Sequence, residues 1–312
     1  MKLLGFDIGG TKCAAVTADW ENGVLKKTGR VECPTDHTVT GALMVERLFS
    51  LAEGIVTAPP DAIGISCGGP LDAVRGIVLS PPNLPTFRDL PITEMASAHF
   101  GAPARLTNDA NASAVAEWKF GAGRGLSSMV FLTFGTGLGA GLILDGRLYE
   151  GVTGNAGEVG HIRLAESGPI GFGKHGSFEG FCSGGGIARL AWQMASEAKS
   201  PPTFLTPSMK PEELTTKAIA EAARKGDPLA REVFRISGER LGEGLAVLVD
   251  ILNPEAIVIG SVFARCHDLL LPSCETVLRR EALACSLDAC RILPAALGEE
   301  IGDYAALGAA LL

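Results

Sequence analysis

The chain has 312 residues, of which 46% are apolar and 20% charged, and it carries a net charge of −8. That length suggests two domains, each large enough to bury its own core, and an acidic balance without a Lys/Arg cluster argues against a nucleic-acid partner. No apolar run reaches the ~18 residues that span a bilayer, and the stretch ahead of Asp7 is too short for a signal peptide, so no membrane partner is expected.

The first signal is Leu3-Leu4-Gly5-Phe6-Asp7-Ile8-Gly9-Gly10-Thr11-Lys12, followed by the apolar Cys13-Ala14-Ala15-Val16. This reads as a buried strand, a tight turn and a returning strand. Paired glycines leave backbone N–H groups uncovered and Thr11 adds a hydroxyl, so the turn can approach a phosphate closely. Asp7 suits a divalent cation, directly or through water, because hard cations take oxygen ligands. Gly-Gly alone fits an ordinary β-hairpin. Asp, Gly-Gly and Thr-Lys together point to phosphate.

The first hairpin runs to about Val31, with a turn near Asn22-Gly23. Residues 39–57 then have helical spacing (Leu43, Leu48, Leu51, Ile55). Ala62 to Ser66 reads as a buried strand ending in Cys67-Gly68-Gly69-Pro70, an open rim where ligands of α/β sheets sit. Residues 76–83 read as a strand leading to Asn83 in a proline-rich loop, 90–100 as a helix, and 104–107 as the next strand. Asn108-Asp109-Ala110-Asn111 follows, then a helix over 112–120. An isolated Asp at a strand-to-helix junction is usually an N-cap. Asp109, however, is flanked by two Asn at the sheet edge that should carry the phosphate turn.

Residues 130–144 repeat the grammar of strand, glycine–threonine turn and strand, with Gly135, Thr136 and Gly137 in the turn. Gly135 to Ala140 fits the G-x-G-x-x-A dinucleotide pattern, but that fingerprint needs a helix after the glycines. Here residues 142–148 read as a strand with a turn at Asp145-Gly146, which excludes a Rossmann site. Two such hairpins suggest duplicated halves closing on one nucleotide.

Next come a glycine-rich loop, 151–161, holding Glu158 and His161, and a second loop, 168–179, ending in Glu179. Helices are predicted over 185–198, 214–225 and 229–252, and 200–211 is irregular with four prolines. Ala256 to Ser261 is a buried strand with a tight turn at Gly260, and a final helix covers 303–312. Strands alternating with helices call for an α/β fold. The eight cysteines (13, 33, 67, 182, 266, 274, 285 and 290) are scattered without C-x-x-C, as expected of reduced thiols in a cytoplasmic protein.

Taken together, LGFDIGGTK at 4–12, ISCGGP at 65–70, LTNDANASAVAEW at 106–118, FLTFGTGLGAGLILDGRLYEG at 131–151, GNAGEVGH at 154–161 and NPEAIVIG at 253–260 resemble the ROK (repressor, ORF, kinase) family of the actin-like ATPase superfamily. The resemblance implies two ribonuclease-H-like domains around an interdomain cleft: 1–115 completed by 298–312, and 116–297. It further implies a homodimer that phosphorylates a hexose or amino sugar with ATP and Mg²⁺. By that resemblance Asp109 is the general base. Gly69, Asn83, Asn108, Glu158, His161 and Glu179 would bind the sugar. Asp7, Gly9, Gly10, Thr11, Lys12, Gly135, Thr136 and Gly137 would serve the phosphates, and Gly260 would lie near adenosine. The family's repressors carry a helix-turn-helix ahead of the phosphate turn, for which a chain starting at the first strand leaves no room. The alternative is an inactive sugar-binding regulator.

One departure stands out. The family usually binds zinc through the counterpart of His161 and three cysteines in C-x-C-G-x-x-G-C-x-E. Here those three positions are Ile170, Phe172 and Ser177. Structural zinc needs four soft or borderline ligands, so no structural zinc is expected. Ile170 and Phe172 are expected to turn inward as apolar packing, with Glu179 still in register.

Overall fold

The computed structural model describes residues 1–312. Its first half opens with β1 (Lys2–Ile8), β2 (Lys12–Glu21) and β3 (Val24–Pro34), then α1 (Gly41–Glu53) and β4 (Ala62–Cys67). A short hairpin, β5 (Leu71–Asp72) and β6 (Ile77–Val78), leads to α2 (Ile92–Phe100), β7 (Ala104–Asn108) and α3 (Asp109–Phe120). The strands form one sheet in the order β3-β2-β1-β4-β7. β1 is central and nearly continuously buried, which is why it reads as an unbroken apolar run. β3 lies at an edge and alternates between exposed and half-buried residues.

The second half repeats the plan. It contains β8 (Met129–Leu132), β9 (Ala140–Leu144), β10 (Arg147–Tyr149), the small hairpin β11 (Ile170–Gly171) and β12 (Lys174–His175), and α4 (Phe178–Phe181). Then follow α5 (Gly184–Glu197), α6 (Thr216–Arg224), α7 (Pro228–Leu252), β13 (Ala256–Ile259), α8 (Ser261–Glu281), α9 (Ala284–Ala289), β14 (Arg291–Pro294) and α10 (Ile301–Ala309). The second sheet has the order β10-β9-β8-β13-β14. Each sheet is a three-stranded antiparallel meander with two parallel strands added beside its first strand. The duplication read from the two glycine–threonine turns is therefore a duplication of topology.

Register sets the functional edge. Ile8 pairs with Cys67, and Cys67 pairs with Asn108. Gly9, Gly68 and Asp109 consequently leave three neighbouring strands at one level. In the second sheet Leu132 pairs with Ile259, so Thr133 and Gly260 leave side by side. These are the carboxyl ends of parallel strands, where open α/β sheets place ligands.

Two expectations change. The strand expected over 76–83 shrinks to Ile77–Val78. Ser80 adopts a left-handed backbone, and Pro81 and Pro82 have no N–H to donate to a ladder. The region after Ser261, left unassigned by periodicity, is the long helix α8. Its backbone departs from helical geometry at Cys266, and it carries Pro272 inside, a residue that ordinarily argues against a helix interior.

α3 and α10 connect the halves. Glu117, near the end of α3, is fully buried. Its carboxylate accepts the N–H groups of Ala122 at 2.8 Å, Ala296 at 3.0 Å and Leu297 at 2.9 Å. It thereby ties the segment leaving the first sheet to the segment that returns as α10. Glu117→Ala should lower unfolding free energy in urea by ~1.5–3 kcal/mol, because three backbone donors lose a charged, buried acceptor. An unchanged midpoint would show that water replaces the carboxylate.

Candidate active site

The first turn is held from behind. Gly9 N donates to Lys12 O at 3.1 Å, Thr35 Oγ1 donates to Gly9 O at 2.6 Å, and His37 Nε2 lies 2.8 Å from Gly10 O. The N–H groups of Gly10 and Thr11 have no protein acceptor, and Thr11 and Lys12 are exposed. Outward N–H groups of this kind form an anion-binding concavity. Asn83 packs directly on Gly10, where an added Cβ would meet the Asn83 Cβ and carbonyl oxygen at 2.7 Å. Only glycine allows that approach. Asn83 thus lies against the first turn. Lys12 Nζ reaches Glu32 at 3.3 Å, an exposed pair.

The second turn is longer. Thr133 N donates to Gly139 O at 3.0 Å, and Gly139 N donates back to Thr133 Oγ1 at 3.0 Å, closing a loop over 133–139. Gly135 N donates to Gly137 O at 2.9 Å and leaves Thr136 exposed at the tip. The starts of two helices brace this loop: Gly184 N donates to Gly135 O at 2.8 Å, and Val262 N to Phe134 O at 3.0 Å. Gly260, buried at the end of β13, packs against Leu132 and Thr133 beside it. Thr133 and Gly184 were not singled out from the sequence, although both lie in glycine-rich runs.

Asp109 is the first residue of α3, and the cap is Asn108, whose side chain accepts Ala110 N at 2.9 Å. Asp109's carboxylate lies beside Gly68, and Asn108's amide beside Gly69. The carboxylate is open to water, yet surrounding protein pushes its pKa up through desolvation, against the opposing backbone N–H of Ala110. It is thus accessible to water and at the same time crowded by protein. Asp7 is pushed up to about 6, first by burial, then by the negative charges of Asp109 and Asp303, with Lys12 and Arg30 opposing. Gly302 on α10 lies so close that any side chain there would overlap the Asp7 carboxylate. Its neighbour Asp303 is buried and held by Arg30 Nε at 2.9 Å and Lys27 Nζ at 3.2 Å. Neither Gly302 nor Asp303 had any local sequence signal.

Glu179 links the second turn to the loops beyond it. Its Oε2 accepts Leu138 N at 3.0 Å, and Gly160 packs against it. His161 ends a 3₁₀ turn over Val159–His161, and Glu158 is exposed just before it. A continuous path therefore runs from Asp109 through the glycine loop and Glu179 to His161. The outward position of the next hairpin is a correction: Ile170 is 42% and Phe172 74% exposed rather than buried. A two-residue β-strand pair with glycines on both sides of Phe172 has no interior to offer a side chain at its tip, and Phe172 instead lies on His161.

A family model described as ROK family matches residues 3–312. The chain belongs to the ROK family. Over 272 residues it is 36% identical to a glucokinase of Streptomyces coelicolor, covering 86% of this chain and 84% of that one. A ROK hexokinase from Thermus thermophilus superposes with a TM-score of 0.82 at 32% identity, covering 100% and 97% of the two chains. A ROK glucokinase from Streptomyces griseus, solved with glucose and AMPPNP, has a TM-score of 0.74 at 31% identity, covering 99% and 98%. The two matching sheets are those of the actin-like ATPase fold.

The residues at the hairpin do not fit the zinc that the family resemblance implies. Nowhere are three or more His, Cys, Asp or Glu side chains grouped to hold a metal. At the hairpin, Ser177 caps α4 by accepting Gly180 N at 3.1 Å, His175 faces Gly168 O at 3.2 Å, and Cys182 is buried against Ser237 O.

Asp7's shift carries a sign. A carboxylate whose folded pKa lies above the usual value of 3.8 is stabilising only while protonated in the fold. That contribution is lost as pH rises from about 4 through about 6. Asp7→Asn should therefore raise the melting temperature of the ligand-free protein at pH 8, by up to ~3 kcal/mol in stability, with the gain vanishing near pH 4. A gain that persists unchanged at pH 4 would assign the effect to packing rather than charge.

Proposed function

We propose that this protein is an ATP-dependent sugar kinase that transfers the γ-phosphoryl group to a hydroxyl of a hexose or amino sugar. The observation that carries this reading is Asp109: a water-accessible carboxylate of raised proton affinity, at the sheet edge where the first glycine turn emerges. In the reaction the sugar oxygen attacks the γ-phosphorus, the bond to the β-phosphate oxygen breaks, and ADP leaves. The hydroxyl proton passes to Asp109. Catalysis of this kind is mostly positioning and charge stabilisation.

The free N–H groups of Gly10 and Thr11, with Gly9 and Lys12, support a phosphate-binding role for the first turn, and Gly135, Thr136 and Gly137 support one for the second. Gly260 closes the adenosine side. Asp7 offers the hard oxygen that Mg²⁺ prefers; bound there, the ion would neutralise phosphate charge. Gly69, Asn83, Asn108, Glu158, His161 and Glu179 would form the sugar side, since carboxylates, amides and imidazole pair with vicinal hydroxyls. Residues 1–115 with 298–312 and residues 116–297 would be the two walls of the cleft.

Asp109→Asn should reduce kcat by ~10²–10⁴ while calorimetry still detects sugar binding, because the amide keeps size and polarity but cannot take the proton. Wild-type turnover in that variant would reduce Asp109 to the first residue of a helix. Coupled ADP release over a panel of hexoses and amino sugars tests the reading itself.

Glu158→Gln and His161→Ala should each weaken sugar affinity and leave ATP affinity nearly unchanged. Titration showing the larger loss for ATP would move the loop to the nucleotide side.

A further inference from the structure

The hairpin β11–β12 presents Phe172 at its tip in a left-handed backbone conformation, φ +44°. A bulky side chain rarely adopts that region, and this one is also largely bare to solvent. Its ring meets the His161 imidazole edge-on, with centroids 5.0 Å apart and planes at 73°. The rest of the hairpin holds the His161 main chain. Lys174 Nζ donates to His161 O at 2.7 Å, Arg163 Nη1 donates to His175 O at 2.9 Å, and Phe178 N donates to Ile162 O at 2.8 Å. Neither imidazole nitrogen hydrogen-bonds a protein group. Both are free for a ligand, and the ring's orientation rests on its aromatic contact.

We propose that Phe172 is a positioning residue that orients the His161 imidazole toward the sugar, at the place where the family resemblance implies a metal. The inference rests on the sugar-kinase reading for what His161 binds, but not for the clamp itself. A tilted aromatic pair lowers the number of ring orientations and leaves both nitrogens available, which metal ligation would not. Phe172 combines a left-handed backbone with a ring that meets His161. Lys174 and Arg163 act on main-chain carbonyls and leave the imidazole torsion free.

The test compares wild type with Phe172→Ala and Phe172→Tyr. Its readouts are the His161 ring resonances in NMR, KM for sugar and for ATP, kcat, and melting temperature. In Phe172→Ala the His161 ring protons should shift as the ring current is lost. Sugar KM should rise by about 3–10-fold, the size of an aromatic-pair effect, with ATP KM and melting temperature within about twofold and two degrees of wild type. Phe172→Tyr should restore both the resonances and KM. Unmoved His161 resonances in Phe172→Ala overturn the proposal whether or not any sugar turns over. So does metal analysis near one zinc per chain. Shifted resonances in a protein that phosphorylates no sugar keep the clamp and remove the kinase reading.

Discussion

The site depends on how closely α10 can approach the first sheet and α3. Gly5 and Gly64 on β1 and β4 lie directly under Ala306, Leu307, Ala309 and Ala310, and no side chain would fit between them. Ala112, Ala116 and Ala305 form the buried seam between the two helices. Small residues on every facing surface let backbone meet backbone, so helices and sheet behave as one packed body. That approach brings Gly302 onto the Asp7 carboxylate and Asp303 to Arg30 and Lys27. It also brings residues 296–297 within reach of Glu117. A protein whose last helix were bulkier would keep both sheets and lose the relation between them.

The electrostatics of the cleft follow from this packing. Beyond burial itself, the charges of Asp109 and Asp303 raise the cost of ionising Asp7, with Lys12 and Arg30 opposing. Asp303 has its charge answered by two cations and serves structure. Asp7 and Asp109 do not, and each faces a glycine-lined edge. Uncompensated carboxylates in a cleft are costly without a ligand and useful with one, since a cation or a hydroxyl proton relieves the repulsion. The ligand-free protein carries that cost at the site alone. Elsewhere its buried side-chain nitrogens and oxygens are hydrogen-bonded, apart from atoms of Thr86, Thr107 and Asn111, the last two within two residues of Asp109 on β7 and α3.

The β11–β12 hairpin is held without a metal-ligand set. With Ile170, Phe172 and Ser177 where the family resemblance implies cysteines, it is secured by backbone hydrogen bonds, a helix cap and two cationic side chains on carbonyls. Such contacts fix the main chain well and side chains poorly. The aromatic contact at His161 supplies the missing orientation, at the expense of an exposed phenylalanine.

Much of this was legible in local chemistry. Glycines beside a threonine after apolar strands marked both turns. The strand-helix alternation gave the α/β class, and Asn108-Asp109 at a strand end marked the carboxylate. These features are local because they depend on backbone conformation and hydrogen bonding within a few residues. Periodicity missed α8, which departs from helical geometry at Cys266 and carries Pro272 inside. The apolar character of Ile170 and Phe172 misled in its turn, because hydrophobicity predicts burial only where a core lies within reach. Glu117, Gly302 and Asp303 gain meaning only from partners more than 170 residues away in Glu117's case, and from β1 and β3 in the others. A carboxylate's worth is set by which N–H groups and charges surround it, and that environment is assembled by the packing of α10 back onto the first sheet.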